Sequence, residues 1–481
     1  MDIKIGLYKR KYTTGTTIYL INTVDNLPSG AFSKEEISYI KNSLRKEKQD
    51  FVFFNRLSKF DIVAFVSEKI KNENDIEKIR RTGNNVLKFI NKEKIEEISL
   101  DVYIEEKSLS KYFIEGILLG NYEFTKYKTA NEPKKHLKSI LIRQSLVENI
   151  HVFELMRTQK AVNFVRNMVN EIPSELTSLT FPNYIKDFFK DTDVKVEVLT
   201  KQKIKSLKMG GLLGVNRGSI DEPTFTILEY KPEKHFNKKP YVFVGKGVMY
   251  DTGGLNLKPG NYMSDMKSDM AGGAAVAGAI HLIAEMQIPA HVIALIPATD
   301  NRPGENAYAP GDVLTMMNGK TVEITNTDAE GRLILADALA FAQKYNPSVV
   351  IDIATLTGAA HVAIGHYAIV GMESGASGYF ERLQNSADKV FERVVEFPFW
   401  DEYFDDMSSD IADFSNSGGR YAGAITAGKF LEKFTDYPYI HLDIAGPAFL
   451  EKTWNYWPKG STGVGVRLLY NFIKNEYNRN S

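Results

Sequence analysis

The sequence has no cysteine among its 481 residues, which excludes disulfides, thiolate metal sites and a cysteine nucleophile. It also lacks any apolar run approaching the roughly 20 residues that a membrane-spanning helix needs. The opening residues, Met1-Asp2-Ile3-Lys4-Ile5-Gly6-Leu7-Tyr8, alternate like a short strand and lead into no secretory apolar segment. These absences together point to a cytoplasmic protein without a membrane partner. The eight histidines are scattered and contain no H-E-x-x-H, which argues against a histidine-based zinc protease. Neither the Walker spacing nor G-x-G-x-x-G occurs, and there is no internal repeat or low-complexity segment.

An excess of either charge is missing too, since 60 Lys and Arg balance 60 Asp and Glu. The balance is uneven along the chain. Residues 1–150 carry 27 basic and 21 acidic residues, a net of +6, which leaves 33 against 39, a net of −6, for residues 151–481. An excess of +6 is weak footing for nucleic-acid binding. The acidic remainder is compatible with carboxylate metal binding, although a solvated acidic surface is the commoner cause.

What is present reads as two α/β domains. Strand-like segments at Thr17–Ile21, Phe51–Phe54 and Ile62–Val66 alternate with helical spacing over Lys34–Lys48, Asp75–Lys92 and Leu109–Leu119. Residues 1–150 are expected to form a smaller N-terminal α/β domain. Residues 151–170 are read as a connecting helix, ended by Asn170-Glu171-Ile172-Pro173-Ser174. Beyond it, near-continuous apolar strands at Tyr241–Val244, His291–Ile296, Val349–Ile353 and Tyr439–Ile444 are separated by helices. That pattern predicts a larger C-terminal domain, 171–481, with a mixed, mostly parallel sheet flanked by helices. A last helix is expected over about 464–475, with 478–481 frayed.

The chemistry concentrates in two clusters. Asn326-Thr327-Asp328-Ala329-Glu330-Gly331-Arg332-Leu333 sets two carboxylates and a guanidinium where a strand pattern, Thr321–Thr325, gives way to a helix pattern. Read alone, Asp328 would be a helix cap and Glu330 a favourable first-turn acid. Upstream, a glycine-rich loop after the strand at 241–244 carries Lys246, Asp251 and Lys258, and Asp269 opens a helix of very small residues. Bringing Asp251, Asp269, Asp328 and Glu330 together is unfavourable unless divalent cations compensate them. The set is therefore the inventory of a two-metal site, and ligand type alone leaves Zn²⁺, Mn²⁺ and Mg²⁺ open.

These clusters resemble the signatures of the M17 leucyl aminopeptidase (cytosol aminopeptidase) family. The octapeptide N-T-D-A-E-G-R-L occurs unchanged, K-x4-D-x6-K-x10-D precedes it, and similarity extends over most of residues 160–475. The N-terminal domain matches weakly, chiefly through Glu115–Gly120, Tyr122, Phe124 and Tyr127. The resemblance implies a metalloaminopeptidase that hydrolyses N-terminal residues from peptides with water activated by two metal ions. It implies that Asp251 and Glu330 bridge both metals, that Lys246 and Asp269 complete the tighter site, and that Asp328 completes the more exchangeable one. It further implies that Lys258 stabilises the developing oxyanion and that Arg332 holds a bicarbonate ion acting as base. The implied metals are Zn²⁺ or Mn²⁺, with Mg²⁺ or Co²⁺ as alternatives. Met266, Thr355, Leu356, Gly358 and Ala445 match positions of the first side-chain pocket, where a Met floor suits Leu-like or Met-like residues. The resemblance also implies a homohexamer of two stacked trimers.

Other residues take plainer readings. His441, on its apolar strand, is expected to be a hydrogen-bonded core residue, and Asp443 to support the loop at Ile444–Gly446. Three rival functions stand beside the peptidase. A DNA-binding architectural role through the N-domain is disfavoured by the lack of a basic stripe, a silent scaffold by the intact set of reactive residues, and a two-metal phosphatase by Lys246 and Arg332.

Overall fold

The computed structural model describes residues 2–8, 15–45, 49–129, 135–143 and 149–480. They divide into two compact units, one of Met1–Asn163 with Lys452–Lys459, the other of Phe164–Glu451 with Gly460–Ser481. The last three residues of the helix expected over Lys34–Lys48 lie outside the described residues; the helix itself spans Lys34–Arg45.

Among the described residues the smaller unit is built on a six-stranded sheet, in the order Lys4–Tyr8, Ser139–Arg143, Glu97–Tyr103, Thr16–Ile21, Phe60–Phe65, Phe51–Asn55. All neighbours are parallel except the last pair, which is antiparallel. Ile18, Leu20, Ile62, Leu100 and Val102 point to one face, where Val86, Leu87, Phe113 and Ile117 from helices Glu73–Lys92 and Ser110–Gly120 bury them. Tyr19, Ile21 and Val63 point to the other face, against Ile40 of helix Lys34–Arg45. The period of two within each strand is what divides these residues between two cores. Residues 452–459 join this unit through Tyr456, whose hydroxyl bonds to Glu77 at 2.9 Å.

The larger unit has a nine-stranded sheet among the described residues. Its order is Val394–Glu396, Ile369–Ser374, Tyr439–Asp443, Val349–Ala354, Tyr241–Gly245, Val292–Asn301, Thr224–Tyr230, Lys195–Leu199, with Gly247–Asp251 also paired to Val292–Asn301. The central strands run parallel, while Ile369–Ser374, Thr224–Tyr230 and Lys195–Leu199 pair antiparallel with their inner neighbours. This is the mixed, mostly parallel sheet that the apolar strands predict. The central strands are buried at every position, as a sheet covered on both faces requires. Val350, Ala354, Ile293 and Leu295 pack with Leu333, Leu335 and Leu339 of helix Glu330–Ala342. Helix Ala271–Glu285 lies on the opposite face, where a Cβ at Gly272 would meet the Ile353 carbonyl oxygen at 2.0 Å. Only glycine permits that contact, and it sets the helix backbone directly on the sheet.

Two local expectations are corrected. The C-terminal helix spans Val466–Asn480 instead of fraying at residue 478; its buried Phe472, Ile473 and Glu476 hold it down. Residues Gly247–Asp251, expected within a loop, form a strand because their backbone pairs with Ala298, Thr299 and Asn301 at the end of a long neighbour. No helix of the described residues is long and apolar enough to cross a membrane.

Candidate active site

The candidate residues emerge at the carboxyl ends of the parallel strands, the place where open α/β sheets offer a ligand crevice. Lys246 directly follows strand Tyr241–Gly245, Thr355 follows Val349–Ala354, and Ala445 lies just beyond Tyr439–Asp443. Asp251 ends the strand that starts at Gly247, just after a register irregularity between Val248 and Asp251, a feature that commonly redirects a side chain beside a site. Asp269 sits between the single turn Met266–Ser268 and helix Ala271–Glu285.

Two lysines join the four carboxylates. Lys246 Nζ lies 2.8 Å from Asp269 Oδ1 and 2.9 Å from Glu330 Oε1, with all three side chains buried. Lys258 Nζ lies 2.7 Å from Asp251 Oδ2 and 2.6 Å from Asp328 Oδ1. Oxygens of Asp251, Asp328 and Glu330 lie within 4.8 Å of one another. Asp269 stands outside that trio and is linked to Glu330 through Lys246.

The turn carrying Asp328 and Glu330 is held by asparagines. The flanking strand covers only Thr321–Glu323, and after Ile324, whose N–H and carbonyl still pair with the backbone of Asp312 and Gly311, the chain leaves the ladder. Asn416 replaces it, with Nδ2 on the Asn326 carbonyl at 2.7 Å and Oδ1 on the Thr325 N–H at 2.9 Å. Asn256 Oδ1 accepts from the Thr327 N–H at 2.8 Å, and Asn301 Nδ2 donates to the Thr327 carbonyl at 3.0 Å. Asn301 Nδ2 also donates to Asp251 Oδ1 at 2.7 Å, so one amide ties the two clusters together. The capping reading of Asp328 is overturned. Ala329 occupies the position before the helix with no side-chain cap, while the Asp328 carboxylate turns to Lys258.

The electrostatics follow from crowding in a buried place. Burial, reinforced by Glu330 and Asp251, holds Asp269 well above the usual carboxylate range despite Lys246. Burial, Asp251 and Glu330 push Asp328 up to about 7. For both lysines burial acts downward, but the surrounding carboxylates outweigh it and raise the ammonium pKa. Burial pushes the Arg332 guanidinium down to about 10, so it keeps its charge at neutral pH. Its Nη1 donates to the Asn416 carbonyl at 2.9 Å.

The donor set fits divalent cations. Asp269 Oδ2 is buried without a hydrogen-bond partner, a costly condition for a carboxylate oxygen that a cation would relieve. Hard oxygen donors with one amine nitrogen suit Zn²⁺, Mn²⁺ or Mg²⁺.

Of the pocket candidates, Thr355 touches the acidic cluster directly. Thr355 Oγ1 donates to Asp269 Oδ1 at 2.8 Å, and its carbonyl accepts from Lys246 Nζ at 3.1 Å. Asp443 accepts from the N–H of Leu356 at 3.1 Å and of Ala445 at 3.0 Å, and from the Thr357 hydroxyl at 2.7 Å. That buried carboxylate binds the two loops together, as expected of it. Gly358 opens helix Gly358–Ile364, and a Cβ there would meet nothing within 4 Å, leaving open space in front of it. Met266 is half-buried, and its carbonyl accepts from the Asp269 N–H at 3.3 Å. His441 is fully buried and bonds through Nδ1 to Asp352 at 2.8 Å, the core role expected of it. Sequence reasoning missed Asn256, Asn301 and Asn416; only their clustering around one turn singles them out.

The sequence model of the cytosol aminopeptidase family, catalytic domain, matches residues 163–470. A probable cytosol aminopeptidase of Aquifex aeolicus is 36% identical over 479 residues, 96% of each chain. One from Chloroherpeton thalassium is 45% identical over 383 residues, covering 75% of this chain and 74% of its own. Among solved structures, the bottromycin maturation enzyme BotP in complex with Mn aligns with a TM-score of 0.85 at 25% identity, over 97% of this chain and all of that one.

Proposed function

The chain belongs to the cytosol aminopeptidase (M17) family of metal-dependent exopeptidases, and from that premise we propose a two-metal mechanism with assigned residues. The observation that carries it is the convergence of Lys246, Asp251, Asp269, Asp328 and Glu330, with a buried Asp269 oxygen left without a partner. In this reading Asp251 and Glu330 would serve both ions, Lys246 and Asp269 would belong to the tighter site, and Asp328 to the exchangeable one. Two divalent ions, Zn²⁺ or Mn²⁺ with Mg²⁺ or Co²⁺ as alternatives, would activate a shared water and polarise the scissile carbonyl.

The chain's own groups do the rest. Lys246 must shed its proton to serve as a ligand, and a cation beside it supplies the depression that opposes the carboxylates. Lys258 keeps its proton and donates to the carbonyl oxygen as negative charge develops there. Arg332 keeps its charge at the crevice and would hold bicarbonate, the base that takes the proton from water. Met266, Thr355, Leu356, Gly358 and Ala445 would receive the first side chain, favouring apolar residues such as Leu and Met. A cytoplasmic hexamer of two trimers, acting on peptides, completes the proposal.

The test is hydrolysis of Leu-p-nitroanilide and of its N-acetyl derivative by protein loaded with Mn²⁺ or Zn²⁺ in bicarbonate. The reading predicts cleavage of the first only, abolished by chelator. Equal cleavage of both would contradict an exopeptidase.

A further inference from the structure

Asn416 follows the short strand Phe414–Ser415 and is fully buried. Its amide grips one stretch of backbone from both ends. Oδ1 accepts from the N–H groups of Thr325 at 2.9 Å and Asn326 at 3.2 Å, and Nδ2 donates to the Asn326 carbonyl at 2.7 Å. The Thr325 hydroxyl adds a bond to Oδ1 at 3.2 Å. The main chain of the same residue is engaged as well. Its N–H donates to the Glu323 carbonyl at 2.8 Å, and its carbonyl accepts from Arg332 Nη1 at 2.9 Å.

Two consequences follow. Past Ile324 the chain has no ladder, so at Thr325 and Asn326 the amide of Asn416 supplies the partners that a strand would have supplied. Removing it would leave two donors and one acceptor unmet in a half-buried turn, two residues before Asp328. Arg332 is a long side chain whose Nε is buried without a partner, so the bond to the Asn416 carbonyl sets the direction of its head. One residue thus governs both Asp328 and Arg332.

We infer that Asn416 is a positioning residue that fixes the separation between the Asp328 carboxylate and the Arg332 guanidinium. The inference rests on the roles proposed above for those two residues.

The test compares Asn416→Asp and Asn416→Ala with wild type and Arg332→Ala. Three quantities are read: the Mn²⁺ binding isotherm, the thermal midpoint, and kcat and KM on Leu-p-nitroanilide. Asn416→Asp keeps size and the Oδ1 acceptor but loses the Nδ2 donor, so it gives an answer even if the alanine variant fails to fold. Expected is a weakening of about 10–100-fold at the weaker Mn²⁺ site and in kcat, with KM changed by less than about twofold. In the Arg332→Ala background the further kcat loss from Asn416→Asp should shrink to about threefold or less, because the two act as one unit. A lowered thermal midpoint with wild-type Mn²⁺ affinity and kcat would overturn the inference, and so would full additivity with Arg332→Ala. Wild-type kcat in Arg332→Ala alone would instead overturn the role given to Arg332.

Discussion

A Cβ placed on Gly331 would stand 2.6 Å from the Nζ of Lys246 and 2.5 Å from its Cε. The lysine reaches Asp269 and Glu330 by crossing the first turn of helix Glu330–Ala342, and only a residue without a side chain leaves it room. Alanine would gain about 1 kcal/mol of helix propensity, yet the sequence carries glycine. Gly331→Ala should therefore lower kcat/KM by about 100-fold, as small misplacements at a reacting centre do, while the thermal midpoint stays close to wild type. Kinetics and melting on the same preparation check this; activity within about threefold of wild type would refute it.

Lys258 lies against Asp251 and Asp328, with its ammonium kept charged by them. Lys258→Ala should cost about 10²–10³ in kcat with little change in KM, the pattern of a donor used only as charge develops. A change confined to KM would contradict the assignment.

Asp337 gives the pH dependence of stability a readable component. It is fully buried in helix Glu330–Ala342 and accepts from the N–H groups of Leu212 and Met317, both at 2.9 Å. Burial outweighs those bonds and pushes its pKa up to about 7. The folded state therefore holds this proton more tightly than the unfolded state. Its stabilising contribution is full below about pH 4 and is lost by about pH 7, on the order of 4 kcal/mol. Urea unfolding of chelator-stripped protein should show wild type losing more stability than Asp337→Asn between pH 5 and pH 8. Equal losses would be the contrary result.

The buried pair of His441 and Asp352 should be structural and strong when broken. Asp352 also accepts from the Tyr439 hydroxyl at 2.5 Å, and neither His441 nor Asp352 is exposed. His441→Ala should destabilise by about 3–5 kcal/mol, because it strands a buried carboxylate, whereas His441→Phe combined with Asp352→Leu should recover part of the loss, the Tyr439 hydroxyl then lacking its acceptor. Denaturant unfolding reads both; an undiminished loss in the double variant would go against the argument.

Much of this was legible in the chain itself. Strands such as Tyr241–Gly245 and Val349–Ala354 announce themselves as apolar runs because both faces are covered. The octapeptide and Lys246, Asp251, Lys258 and Asp269 were readable because they stand at the spacings of a known family's signature. Asn256, Asn301 and Asn416 were not, since asparagines are ordinary turn residues and only the convergence of these three amides on the backbone of Asn326 and Thr327 singles them out. Read alone, Asp328 passes for a cap because local rules apply to an isolated helix, whereas Lys258, 70 residues upstream, takes its carboxylate. The return of residues 452–459 to the smaller unit likewise depends on partners such as Glu77, far away in sequence.

The claim that four carboxylates and Lys246 build a two-metal site is tested most directly by titrating chelator-stripped protein with Mn²⁺ in a calorimeter. Two ions per chain are expected, one after Asp269→Ala, and no tight binding after Asp251→Ala or Glu330→Ala. Fewer than two ions in wild type, or two retained in both bridging variants, would contradict it.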